Sequence, residues 1–339
     1  MENSSTKRKM KLCKKSVALF CMLFLVLLLP VGNIFNANAA TPSIGECVVE
    51  ISSRRFLFER NPDKRLPMAS TTKIMTALVI LSEGNLDETV TVPKEAEGTE
   101  GSSVYLKAGE EFTVRELLYG LMLRSGNDCA VTLALHHSGS IKNFARAMNE
   151  TAVSLGAENS HFTNPHGLPD EEHYTTARDL ALITATAMEN LTFREIVSTK
   201  FYEPRSWKNK NKMLWNFEGA IGVKTGFTVR AGKCLVSAAE RDGMTVVSVV
   251  LNSPQMFDRS EELLQTAFET YRMKKICSAS ESYDGCRILY DFNYPLREDE
   301  EEKIVIQNEL FTESDEIAGR MKIYLENRLL FSQNLFIIN

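Results

Sequence analysis

Met68-Ala69-Ser70-Thr71-Thr72-Lys73-Ile74-Met75-Thr76-Ala77-Leu78 places a hydroxyl and an amine three residues apart. Beyond Ser70, the apolar residues Ile74, Ala77, Leu78 and Leu81 recur at three- and four-residue steps, which predicts a helix. Positions i and i+3 share a helix face, so Ser70 and Lys73 can meet. Ser70 then sits in the first turn, near the positive end of the helix dipole. That field favours a developing oxyanion and disfavours an ammonium. A serine needs a base to become a nucleophile. A free lysine is neutral roughly once in 2500 molecules at pH 7, a cost of about 4.6 kcal/mol. Its surroundings must therefore lower its pKa. Alone the pair is weak: about one Ser-x-x-Lys arises by chance in a chain this long, and Ser4 with Lys7 is another.

Upstream, Lys7, Arg8, Lys9, Lys11, Lys14 and Lys15 form a basic start, and Ser16 to Leu29 is an almost unbroken apolar run. Pro30 ends it, and Ala37-Asn38-Ala39 offers small residues for cleavage. This anatomy predicts a signal peptide over residues 1–40. The run is shorter than the roughly 20 residues of a spanning helix, and Phe20 before Cys21 argues against a lipid-modified cysteine. Without residues 1–40, Lys+Arg falls from 39 to 33 and Asp+Glu from 44 to 43. The acidic balance argues against a nucleic-acid partner. Cys47, Cys129, Cys234, Cys277 and Cys286 remain, an odd number with no scaffold spacing. Cys277 and Cys286 are one candidate bridge; buried free thiols are the preferred reading. His161, His166 and His173 fit no helix face, so no metal or other cofactor is called for.

Glu46 to Glu59 reads as two strands, and Asn61-Pro62-Asp63 as a turn into the Ser70 helix. Glu97 to Ser103 reads as a Gly-rich surface segment, and Thr113 to Leu123 as an amphipathic helix. Arg124-Ser125-Gly126-Asn127-Asp128 interrupts two apolar helices, so it is a tight buried loop whose Ser125 and Asn127 need partners. Thr175 or Thr176 reads as the cap of a helix through Met188 and Thr192 as the cap of a shorter one, and Lys208 to Lys212 as a solvated loop. Gly222-Val223-Lys224-Thr225-Gly226 precedes strands Leu235 to Glu240 and Met244 to Leu251 around an Asp242-Gly243 turn. A helix is expected over Ser260 to Met273. After Cys277 the pattern becomes short strands, with an acidic loop at Arg297 to Glu302 and a turn within Arg328 to Asn334.

Ser-x-x-Lys, Ser-x-Asn and Lys-Thr-Gly in that order form the signature of penicillin-binding proteins and serine β-lactamases. The pieces are Ser70 with Lys73, Ser125 with Asn127, and Lys224-Thr225-Gly226. Over about residues 43 to 273 the chain resembles the low-molecular-mass D-alanyl-D-alanine carboxypeptidases, peptidase family S11. Phe162 to Pro169, Thr176-Ala177-Arg178-Asp179 and Gly222 to Thr228 carry further likeness. The resemblance implies an α+β fold: an antiparallel sheet with helices on both faces, a helical lobe, and the site between them. Residues 41–274 would be the catalytic domain and 275–339 a small all-β domain. No C-terminal amphipathic helix follows, which leaves membrane attachment open.

The same resemblance implies chemistry at the extracytoplasmic cell wall. Ser70 would attack the penultimate D-Ala carbonyl of a peptidoglycan stem peptide, with Lys73 as base and Ser125 as proton relay. Asn127, Lys224, Thr225, Gly226 and Phe227 would bind substrate, the oxyanion resting on the Ser70 and Phe227 backbone N–H groups. A like charge on Lys224 about 5 Å from Lys73 would supply roughly 3 kcal/mol of the pKa lowering. β-Lactams would be inhibitors. A β-lactamase, an endopeptidase and a non-catalytic cell-wall sensor share parts of this signature. Gly126 in place of Asp and the absence of a convincing Glu-containing loop motif stand against the first.

Overall fold

The computed structural model describes residues 44–83, 85–311 and 316–338. The expected signal peptide lies outside them. β1 (Gly45–Glu50) and β2 (Phe56–Arg60) form an antiparallel hairpin. Buried Glu50 closes its turn, accepting hydrogen bonds from the backbone and hydroxyls of Ser52 and Ser53. A 3-10 turn, Ala69–Thr72, runs straight into α1 (Lys73–Glu83). The short pair β3 (Thr89–Thr91) and β4 (Glu111–Thr113) leads to α2 (Val114–Tyr119), a π-helical turn at Gly120–Arg124, and α3 (Asn127–Ser138). α4 (Ile141–Ser154), α5 (Ala177–Glu189) and α6 (Leu191–Ser198) follow.

Side-chain caps fix where these helices begin. Thr113, Ser140, Thr176 and Asn190 each accept from the backbone N–H three residues on, worth about 1 kcal/mol apiece. Asn190, rather than the expected Thr192, caps α6, because Thr192 already lies inside the helix.

Two-residue strands β5 (Phe201–Tyr202) and β6 (Trp207–Lys208) and the single turn α7 (Met213–Asn216) lead into the central sheet. Its remaining strands are β7 (Ala220–Thr228), β8 (Gly232–Arg241) and β9 (Met244–Leu251). The order is β2-β1-β9-β8-β7, antiparallel throughout. Every residue of β9 is buried, as its run of valines requires of a strand covered on both faces. Val247 and Val249 join the core under α1, α3 and α5, whereas Val246 and Val250 meet α8 (Met256–Thr270) through Leu263, Leu264 and Phe268. Arg259 of α8 makes a two-pronged ion pair, 2.8 Å at each prong, with fully buried Glu46 of β1. The helix ends at Thr270 rather than Met273, because β10 (Arg272–Cys277) turns into sheet pairing.

β10 pairs with β13 (Phe292–Leu296). A second antiparallel sheet joins β11 (Ser282–Tyr283), β12 (Cys286–Arg287), β14 (Ile304–Leu310), β15 (Ile317–Leu325) and β16 (Arg328–Ile337) in the order β11-β12-β16-β15-β14. The turn before β16 falls at Glu326-Asn327, earlier than expected, with Glu326 at φ 56°. No glycine marks that reversal, so the sequence signal for it is weak. Cys277 and Cys286 share the small core here as free thiols, and all five described cysteines are free and buried. The expected acidic loop is a 3-10 turn, Glu298–Lys303, whose Glu300 is buried 2.6 Å from Arg55.

Candidate active site

Ser70 lies in the 3-10 turn that feeds α1, preceded by Ala69 at φ 50°. A left-handed alanine costs on the order of 1 kcal/mol, and such residues cluster at functional sites. Lys73, fully buried, starts α1. Its Nζ lies 3.2 Å from Ser70 Oγ, 2.6 Å from Asn127 Oδ1 and 2.8 Å from the His166 carbonyl oxygen. The last two atoms only accept hydrogen bonds. A neutral amine has two N–H donors and one lone pair. In the neutral form, with both donors taken by these carbonyls, the lone pair is left for the Ser70 hydroxyl; in the charged form the third N–H donates to Ser70 Oγ.

Burial holds the Lys73 pKa well below the ordinary lysine value, with Lys224 and Lys210 adding repulsion. The sequence reading credited Lys224; desolvation is the larger cause. Lys224, on β7, is itself buried and donates to the Thr225 carbonyl at 2.9 Å. Burial, then Lys210, pushes its pKa down to about 7.

The Ser-Gly-Asn loop ends the π-helical turn, with Ser125 left-handed at φ 64°. Asn127 is tied on three sides: Oδ1 to Lys73, Nδ2 to the Glu100 carbonyl at 2.5 Å, and backbone N–H to the Ser102 carbonyl at 2.7 Å. Next to it, buried Asp128 accepts from Ser103 Oγ at 2.5 Å and from the backbone of Val104 and Leu106. The segment read as Gly-rich surface is therefore stapled to the site. Ser125 departs from expectation. It is buried and its backbone N–H reaches the Gly120 carbonyl, but its hydroxyl is not tied to Lys73 as that of Ser70 is. Gly126 is required: a Cβ there would lie 2.8 Å from Asp128 Oδ1 and 2.9 Å from Cys129 Sγ.

β7 is an edge of the central sheet. A Cβ on Gly226 would lie 3.1 Å from both the Ser70 nitrogen and the Met68 carbonyl oxygen, so strand and nucleophile turn are in direct contact. Thr225 is half-buried beside it, and the Phe227 side chain is exposed. The Lys-Thr-Gly segment thus borders the nucleophile turn.

The 161–173 loop supplies what the sequence reading missed. Gly167, at φ 88°, presses its backbone on Ala69: a Cβ there would sit 1.9 Å from the Ala69 carbonyl oxygen. Gly167→Ala is expected to displace the nucleophile turn, at a cost of roughly 1–3 kcal/mol. The thermal unfolding midpoint and the penicillin labelling rate, measured together, check this; both should fall. His166 contributes its backbone carbonyl, an atom that no motif search reads. Burial and Lys73 push its ring pKa down to about 3. The histidines have separate partners: His161 Nδ1 meets the Glu172 carbonyl and His173 Nε2 meets Thr72. Lys210 was also missed. In its stretch Asn209 and Asn211 point inward while the Lys210 Nζ stays at the surface, 3.3 Å from Ser102 Oγ.

The model of the D-alanyl-D-alanine carboxypeptidase family, peptidase S11, matches residues 37–255. The chain belongs to this serine peptidase family. It is 41% identical over 244 residues to the D-alanyl-D-alanine carboxypeptidase of a Streptomyces strain, covering 65% of this chain and 84% of that one. It is 36% identical over 244 residues to DacF of Bacillus subtilis, covering 66% of this chain and 61% of the relative's length. Penicillin binding protein 5 from Haemophilus influenzae superposes with a TM-score of 0.74 at 28% identity, over 88% of this chain and 96% of that one. DacD from Francisella tularensis gives 0.69 at 26%, over 88% and 93%. The α+β fold of this S11 chain is thus that of solved penicillin-binding proteins, including the all-β region at its C-terminal end.

Proposed function

We propose that this chain is a serine-type D-Ala-D-Ala carboxypeptidase of the cell wall. It removes the terminal D-alanine of a peptidoglycan stem peptide through an acyl-enzyme on Ser70, and β-lactams block it. One observation carries the reading: a fully buried amine 3.2 Å from the Ser70 hydroxyl, with the Asn127 and His166 carbonyl oxygens as its other two partners.

Lys73 takes the Ser70 proton as Oγ bonds to the penultimate D-Ala carbonyl carbon. The carbonyl electrons move onto oxygen, held by the Ser70 and Phe227 N–H groups. Collapse breaks the C–N bond, and the proton passes from Lys73 through the Ser125 hydroxyl to the leaving amine. Water then attacks the ester, giving Lys73 its proton, and Ser70 leaves with one. Lys224 and Thr225 hold the terminal carboxylate. Asn127 keeps Lys73 in place and bonds the substrate backbone.

A β-lactamase of the class A kind needs a glutamate to activate the deacylating water. Here the 161–173 loop offers Lys73 a carbonyl, and among the described residues no carboxylate is hydrogen-bonded to Ser70 or Lys73. The same reading places residues 1–40 as a cleaved export signal, 41–274 as the catalytic unit and 275–339 as an accessory β domain. Among the described residues no helix is long and apolar enough to cross a membrane.

The deciding experiment is D-alanine release from a diacetylated tripeptide ending in D-Ala-D-Ala, with and without penicillin. Penicillin-sensitive release is expected. Labelling without release would make the chain a binding module, and penicillin turnover in seconds would make it a β-lactamase.

The pH dependence should be bell-shaped. Activity rises as Lys73 loses its proton and falls as Lys224 does. The alkaline limb of kcat/KM is expected near pH 7, the value for Lys224 in the free protein. A bound carboxylate stabilises the ammonium, so the same limb in kcat should lie at higher pH. Coincident limbs in the two profiles would remove Lys224 as the carboxylate ligand.

A further inference from the structure

His173 lies outside the three motifs, yet it is 3% exposed and packed behind the nucleophile. Its ring has a defined tautomer. Nδ1 accepts from the Thr163 backbone N–H at 3.0 Å, so the proton sits on Nε2. Nε2 then donates to Thr72 Oγ1 at 2.8 Å. The Thr72 hydroxyl in turn donates to the Ala69 carbonyl oxygen at 2.8 Å. Burial pushes the imidazole pKa down to about 4, which keeps the ring neutral, with one donor and one acceptor.

The end of this chain matters because of peptide planarity. The Ala69 carbonyl and the Ser70 N–H belong to one rigid amide and point in opposite directions within its plane. Fixing the carbonyl oxygen therefore fixes the direction of the N–H. Ala69 also sits in the left-handed region, where this plane would relax if released. Gly167 and Gly226 close in on the same amide.

We propose that His173, acting through Thr72, is a positioning residue that aims the Ser70 N–H at the oxyanion. This rests on the acyl-enzyme reading above. The relay touches neither substrate nor the carboxylate-binding strand. Its loss should therefore appear in the transition state rather than in ground-state binding.

The test uses Thr72→Val, which keeps shape and removes the hydroxyl, and His173→Leu. Thr72→Ser and His173→Gln are the rescues, since each restores a donor. Penicillin acylation should fall on the order of 100-fold in the first pair, as for a misaligned oxyanion donor. The KM for a D-Ala-D-Ala peptide should stay within about threefold, and the rescues should recover most of the rate. The infrared carbonyl stretch of the penicilloyl ester should move to higher wavenumber in Thr72→Val, reporting a weaker hydrogen bond to the ester oxygen. Should His173→Leu fail to fold, Thr72→Val alone decides. An unchanged acylation rate and carbonyl stretch in folded Thr72→Val overturns the proposal while leaving the carboxypeptidase reading intact. A wild-type chain that takes up no penicillin overturns both.

Discussion

Replacing Lys73 by methionine is expected to cut acylation by a fluorescent penicillin by roughly 10²–10⁴-fold, the range for losing a positioned general base. Methionine matches the apolar stem and the length of lysine but has no basic nitrogen. Ser70→Ala should take up no label at all. The same variant gives an independent thermodynamic signature. The folded pKa of Lys73 lies well below its ordinary 10.5, chiefly through burial. Unfolded chains then bind more protons than folded ones between those two values, so stability rises with pH across that window. The penalty is fully present below the folded pKa and is gone above 10.5. Lys73→Met removes that slope. Against it, Asn127 Oδ1 and the His166 carbonyl lose a donor, at about 1–3 kcal/mol each. The readout is therefore the difference between wild type and variant, not either midpoint alone. Wild type should gain on the variant as pH rises from 7 to 10. Normal labelling of Lys73→Met would remove the base, and a pH-independent difference would show that Lys73 is charged in the folded protein.

What the sequence revealed and what it hid divide along a physical line. The side chains proposed to act, those of Ser70, Lys73, Ser125, Asn127 and Lys224, lie at spacings that report helix, loop and strand, so they were legible. The seat of Lys73 was not. The His166 and Glu100 carbonyls are backbone atoms, and any residue type there would supply them. For the same reason the main source of the Lys73 pKa shift was misassigned: a neighbouring charge can be named from a motif, whereas enclosure depends on how α1, α3 and the 161–173 loop close over one atom. The central hairpin of β8 and β9 was plain from its valines and its Asp242-Gly243 turn. The last hairpin was misplaced because exposed Glu326 takes a left-handed conformation that glycine or asparagine usually marks. The acidic run at Glu298 to Glu302 looked solvated because charge is the only thing a sequence shows there. Its partner, Arg55, lies some two hundred and forty residues away.

That partner sets the second large expectation: Arg55→Ala should destabilise the fold by about 3 kcal/mol, at the low end for breaking a buried pair. The Arg55 Nη2 lies 2.6 Å from Glu300 Oε1, and Nη1 donates to the Pro295 carbonyl at 2.6 Å. The guanidinium also stacks within 5.0 Å of the Tyr271 ring centre and 5.2 Å of the Tyr294 ring centre. Both charged side chains are at most one-tenth exposed. Arg297 and its backbone N–H remain on Glu300 after the substitution, which keeps the cost from being larger. The contact joins the β1–β2 turn to the 3-10 turn before β14, so its loss should loosen the C-terminal sheet first. Hydrogen exchange should show β14 to β16 losing protection while penicillin labelling of Ser70 persists. Arg55→Met with Glu300→Leu should recover much of the loss, because an apolar pair needs no desolvation. Acid should mimic the single variant. Burial alone would raise the Glu300 carboxyl, but Arg55 and the Arg297 N–H hold it below its ordinary 4.5. Its contribution is then complete above 4.5 and lost as pH falls through the folded value. Equal exchange in β14 to β16 and in β9 after Arg55→Ala would show instead that catalytic unit and C-terminal sheet unfold as one.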